Sequence, residues 1–207
     1  HVICSIFQEE AEPIQKVTII PRGFSAGATH YLQTDKSNYS NDYVNQILVQ
    51  LLGGRASEEI IFDKLTTGAA NDISRATDLA KKMVCLWGMS KKIGPMRVGK
   101  EESQIFLGKE LTHHEGMSEQ MARMVDSEIV HFIDTAHKKA IEILNHRRYL
   151  LEILSKELFK KETLEAEEIF KIIFENTTDS DKPLLDKKYE KVKEMKLDIN
   201  TAEVPKP

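Results

Sequence analysis

Two adjacent glycines, Gly53 and Gly54, sit inside a stretch that otherwise reads as one long helix. Val44, Ile47, Leu48, Leu51 and Leu52 keep the helical spacing before them, and Ala56, Ile60 and Ile61 keep it after them. A mid-helix glycine costs about 1 kcal/mol against alanine, so a pair of them calls for a packing reason. Without Cβ atoms, that helix can let another backbone come close. Ser40 or Asn41 is placed to cap it. A small, polar run follows, Thr66-Thr67-Gly68-Ala69-Ala70, and leads onto a second helix. On that helix Ile73, Ala76, Ala80, Met83, Val84 and Trp87 share a face, with Gly88 as the stop. Asn71 and Asp72 stand at its start. Residue type alone favours a capping role for Asp72, and the alternative is an inward-facing metal ligand.

The rest of the chain is mostly helical, with one small β element. Val2, Ile3, Ile6 and Phe7 fit the end of an amphipathic helix, which Gln8 to Pro13 breaks. Lys16 to Pro21 is short and β-branched, so it reads as a strand. Arg22 to Gly27 is a turn, and Ala28 to Gln33 is the returning strand. Lys91 to Gly108 reads as loop with a short strand near Met96–Val98. Leu111 to Gly116 is polar. From Ser118 a stripe of Ala122, Val125, Ile129, Phe132, Ile133, Ala136, Ala140 and Leu144 predicts a long helix. His146-Arg147-Arg148 turns the chain, and Leu150, Leu151, Leu154 and Leu158 carry the next helix. Thr163 is placed to cap a third, which ends near Phe174. The expected fold is mainly α, a helical bundle with a small β-sheet or hairpin. The globular part is expected over residues 1–175. Residues 176–207 are rich in Asn, Thr, Asp, Lys and Glu and read as a mostly disordered tail, with one weak helical turn or two around Leu185, Tyr189 and Val192.

Composition excludes some classes of function. The 207 residues carry a net charge of −4, which gives no reason to expect nucleic acid. No apolar run approaches the roughly 18 residues of a membrane span. Cys4 and Cys85 lie on apolar helix faces and read as buried free thiols of a reducing compartment. The chain opens without a methionine inside an apolar helix end, as expected for a piece of a longer protein.

Histidine spacing alone gives no metal site. There is no His-Glu-x-x-His. His113-His114-Glu115 falls in a loop-like segment. His131 and His137 are six residues apart and face different ways on a helix. His30 reads as exposed on a strand.

The ordered series is more specific than any part of it. An apolar helix end leads to EPIQKVTIIPRG, then LLGGRASEEI, TTGAANDISRAT, MVCLWGMSKKIGP and IFLGKE. This series resembles the peptidase domain of the FtsH family, membrane-anchored ATP-dependent zinc proteases with an AAA+ motor, over residues 1 to about 175. The resemblance implies that His1 is the second histidine of a His-Glu-x-x-His motif. The first histidine and the general-base glutamate are then expected just upstream, so none of the catalytic groups is in this chain. It also implies that Asp72 is the third zinc ligand, reversing the capping preference. Glu58 is the competing carboxylate, with Glu58 or Glu59 expected to support the site or pack near it. The strand Lys16, Val17, Thr18, Ile19 and Ile20 gains an implied role in pairing with an extended substrate, against an ordinary structural hairpin.

By the same resemblance the cofactor is Zn²⁺, while ATP and Mg²⁺ belong to the motor, since no GxxxxGK[ST] loop is present. The implied partners are polypeptide substrates, hexamer subunits of the same or a related chain, and the membrane through other segments. The implied location is membrane-anchored, with this domain in the bacterial cytoplasm, an organelle matrix or a stroma. The alternative function is a family member that has lost the zinc motif and serves as a structural or unfolding subunit of the ring.

Overall fold

The computed structural model describes residues 1–21, 27–32, 38–98 and 117–202, with side chains to 197. The turn from Arg22 and the His113-His114-Glu115 segment lie outside them. The described part is mainly helical, as the periodicity predicts. Helix α1 spans Val2–Ile6 and α2 spans Asn41–Phe62. A 3₁₀ turn at Thr67–Ala69 enters α3, Ala70–Cys85. Helices α4, Glu119–His146, and α5, Arg148–Lys161, meet at Arg147. Helices α6, Ala166–Asn176, and α7, Lys182–Ala202, complete the order.

Both long helices are capped by a serine hydroxyl, and at α2 it is one of the two residues the sequence offers. The Ser40 hydroxyl accepts from the Tyr43 N–H at the start of α2, and the Ser118 hydroxyl accepts from the Met121 N–H at the start of α4. Helix α2 runs unbroken through Gly53 and Gly54 and ends where Asp63 turns left-handed at φ 49°. It lies along α4 and carries α1 and α3 against its other sides. Leu48, Leu52, Ala140 and Leu144 fill the seam and are essentially excluded from solvent. Each such leucine contributes about 2 kcal/mol of transfer free energy. A satellite cluster of Val84, Val98 and Val125 joins α3 to α4. Val98 arrives there as irregular chain, its N–H on the Cys85 carbonyl at 2.9 Å, and not as the expected strand.

The sheet differs from a simple hairpin. Strand β1 is Ile14–Thr18, two residues earlier than the spacing suggested, and it pairs antiparallel with β2, Ala28–Tyr31. A third strand, β3, Thr163–Glu165, pairs with the other side of β1, giving the order β2-β1-β3. Thr163 is therefore a strand residue and not the expected helix cap. Glu165 caps α6 instead, in a reciprocal box with Glu168. A pairing across nearly the whole chain leaves no local signal.

The C-terminal segment is the second departure. Residues 182–202, expected within a mostly disordered tail, form α7. Leu185 and Val192 are fully buried, and the Tyr189 ring lies 5.0 Å from Phe170. These three side chains repeat at i, i+4 and i+7, a stripe narrow enough to be hidden by its charged surroundings. Arg147 fixes the entry to α7 through both Asp181 oxygens, at 3.0 and 3.1 Å, while its guanidinium covers the Phe7 ring. Lys188, almost fully buried, donates to the Ala11 carbonyl at 2.8 Å. The helix is thereby tied to the chain just after α1.

Candidate metal centre

His1 stands at the N-terminal cap position of α1, against the middle of α2. The two glycines make that approach possible. A Cβ at Gly53 would lie 3.0 Å from both the His1 backbone nitrogen and the Cys4 sulfur. A Cβ at Gly54 would lie 2.5 Å from His1 Nε2, a distance no real side chain tolerates. The helix thus yields the space of a side chain to the imidazole. Cys4 beside it is a buried free thiol, its pKa pushed up to about 12 by desolvation, whereas Cys85 is half-buried.

The imidazole is oriented from both ends. Its Nδ1 lies 2.8 Å from the Gln50 carbonyl oxygen. A carbonyl only accepts, so Nδ1 carries a proton, and in the neutral ring Nε2 presents a lone pair. Nε2 lies 3.3 Å from Asp72 Oδ2. Burial pushes the imidazole pKa down, but the Asp72 carboxylate and the Gln50 carbonyl outweigh it, and the group sits above its ordinary value.

Asp72 reaches this position from the first turn of α3. It does not cap that helix: the cap residue is Ala69, with no side-chain hydrogen bond. The capping work falls to Thr66, whose hydroxyl accepts from the Gly68 N–H at 3.1 Å. That hydroxyl in turn donates to Glu58 Oε1 at 2.7 Å, and the Thr66 N–H reaches Glu58 Oε2 at 3.3 Å. Glu58 is thus bonded to the turn that delivers Asp72 and not to His1 or Asp72. Its neighbour Glu59 faces away, toward Arg55 and His137.

The His1–Asp72 pair fits the chemistry of a zinc site. The donors are one imidazole nitrogen and one carboxylate, the first backed by a main-chain carbonyl as metal-binding histidines usually are. Ligands about 2.0–2.1 Å from a tetrahedral ion stand roughly 3.3–3.4 Å apart, matching the separation seen. Among the described residues no group of three or more His, Cys, Asp or Glu is gathered for a metal, and the donors brought together at this point are His1 and Asp72. His30 is exposed on β2, and His131 and His137 belong to other faces of α4.

A cleft of about 460 Å³ opens over the pair, between the sheet, α2 and the start of α3. Within the expected substrate strand, Lys16, Val17 and Thr18 occupy the sheet's centre. They pair with His30, Thr29 and Ala28 on one side and with Glu165, Leu164 and Thr163 on the other. The Ile19 N–H is taken by the Glu162 carbonyl at 2.9 Å. Lys16–Thr18 therefore offers no free edge, because β2 and β3 take its two sides. The outer strand beside the cleft is β2, whose Ala28, Thr29 and Tyr31 line it.

Sequence reasoning did not single out Gln50 or Arg75, which also line the cleft. Gln50 acts through a main-chain atom, which leaves no signal in residue type. Arg75 lies three residues after Asp72, a spacing that places both on one helical face and was open to detection.

The sequence comparisons bear on the family. The sequence model of peptidase family M41 matches residues 1–172. The chain is 42% identical over 174 residues to "ATP-dependent zinc metalloprotease FtsH" of Magnetococcus marinus, a match covering 84% of this chain and 26% of that protein. It is 42% identical over 174 residues to the protein of the same name from Acidobacterium capsulatum, covering 84% and 27%. It is 41% identical over 177 residues to that of Thermotoga maritima, covering 84% and 29%. The chain thus spans about a quarter of the length of the curated relatives it matches. With the family model covering most of its length, the chain belongs to peptidase family M41.

Proposed function

We propose that these residues are part of the peptidase domain of an ATP-dependent zinc metalloprotease, with His1 and Asp72 as zinc ligands. The supporting observation is the 3.3 Å approach of His1 Nε2 to Asp72 Oδ2, with Nδ1 committed to the Gln50 carbonyl. Bound zinc supplies Lewis acidity, polarising the scissile carbonyl and lowering the pKa of the attacking water to about 7. The chain's own residues prepare the site. The Gln50 carbonyl fixes the tautomer, Gly54 leaves room for the ring, and Glu58 with Thr66 holds the turn that carries Asp72. A further histidine and the glutamate that moves the water's proton belong, by the family resemblance, to residues outside these 207.

The substrate is an extended polypeptide laid along β2, where backbone pairing gives tolerance of sequence. ATP use, assembly into a hexameric ring and membrane anchoring belong to the remaining parts of the full protein. No helix among the described residues is long and apolar enough to cross a membrane.

The test is Asp72→Ala in the full-length protein. Zinc content and casein degradation should fall to background while ATP hydrolysis continues. Undiminished degradation by that variant would remove Asp72 from the ligand set.

A further inference from the structure

The cleft over His1 and Asp72 contains polar groups that the metal reading leaves unused. Arg75 lies on the same face of α3 as Asp72, nearly one turn further on, and lines the cleft. It is the only lysine or arginine among the described residues lining it. Its side chain is exposed and makes no hydrogen bond or ion pair among the described residues. This is unusual here, because Arg55, Arg123, Arg147 and Arg148 all hold a carboxylate.

A second, independent observation concerns the floor of the cleft. Gln50 is only 3% exposed, its side chain bonds the Tyr31 phenol, and its Oε1 has no hydrogen-bond partner among the described residues. A buried acceptor left without a donor costs about 1–3 kcal/mol. The Gln50 acceptor is enclosed beneath the cleft, and the unmatched group that the cleft itself presents is the cationic donor at its rim. A polypeptide presents the complement of the Arg75 donor, a carboxylate. Guanidinium geometry suits a carboxylate through two parallel N–H bonds.

We propose that Arg75 is a specificity-determining residue of the cleft, pairing with a carboxylate of the bound polypeptide beside the bond presented to His1 and Asp72. This rests on the peptidase reading above. The carboxylate comes either from an acidic side chain or from the chain terminus.

The experiment measures binding of fluorescein-labelled peptides to the full-length protein by anisotropy, with the metal chelated so that nothing is cleaved. Four peptides share one neutral framework. One carries an internal Glu, one Gln in its place, one Lys in its place, and one combines that Gln with C-terminal amidation. Wild type should bind the Glu peptide about five-fold more tightly than the Gln peptide, the order expected of one partly exposed charge pair. A drop on amidation instead assigns the terminal carboxylate as the source. Arg75→Gln should remove whichever preference is seen, and Arg75→Glu should reverse it toward the Lys peptide. A peptide ranking that is the same in all three proteins overturns the proposal and leaves the peptidase reading in place. Failure of wild type to bind any peptide, together with failure of the metal-loaded protein to cleave casein, overturns both.

Discussion

A Cβ built on Gly54 would stand 2.5 Å from His1 Nε2, so the side chain missing from α2 is the space that the imidazole occupies. A helix interior normally disfavours glycine by about 1 kcal/mol. Gly54→Ala should therefore leave thermal stability near wild type while displacing the ring. Zinc affinity should fall at least ten-fold, read by competition with a chromogenic chelator. Wild-type affinity in this variant would mean that His1 does not hold the metal in the position described.

Glu58 and Thr66 act on Asp72 as a unit, because one hydroxyl both caps the turn and binds the carboxylate. Supporting groups of this kind are worth about 10–100-fold in metal affinity. Glu58→Ala and Thr66→Val should each weaken zinc binding by about ten-fold. The double variant should be little worse than either single one. Additive losses in the four-member cycle would show that the two residues act separately.

Helix α7 is expected to contribute to stability across the domain. Leu185→Ala should cost about 2–4 kcal/mol of unfolding free energy, the usual range for a buried leucine. Removing residues 181–207 should shift the urea midpoint further, because the Ala11 carbonyl and the Arg147 guanidinium lose their partners Lys188 and Asp181. A midpoint unchanged by either alteration would return the segment to the status of a tail.

Glu128 couples stability to acid. It is 3% exposed on α4, between the Ser90 hydroxyl and the Lys92 ammonium, each at 2.7 Å. Burial pushes its carboxyl pKa up, but those two partners outweigh burial and hold it below the ordinary 4.5. The unfolded chain then binds the proton more readily than the folded one. The stabilisation is complete above pH 4.5 and is lost as the pH falls from there through the lower folded value. Glu128→Gln should flatten the fall in urea midpoint over that acid range and cost about 1–3 kcal/mol at pH 7. An identical acid profile in the variant would place the acid sensitivity elsewhere.

Much of this was legible in the chain itself. The 3.6-residue spacing of apolar residues gave α2 to α5, and residue type offered Ser40 or Asn41 as the cap of α2, because both signals depend on residues a turn or less apart. Gly53-Gly54 announced a close helix contact, and the ordered motifs pointed to His1 and Asp72. The tertiary structure decided what depends on distant partners. Strand β3 comes from Thr163–Glu165 and turns Lys16–Thr18 from an edge into the centre of the sheet. Helix α7 gains its place through Leu185, Val192 and a buried lysine whose acceptor is a main-chain carbonyl at Ala11. Gln50 likewise fixes His1 through its backbone oxygen. Contacts made by the main chain, or between residues far apart in sequence, carry no residue-type pattern, so only the folded chain could reveal them.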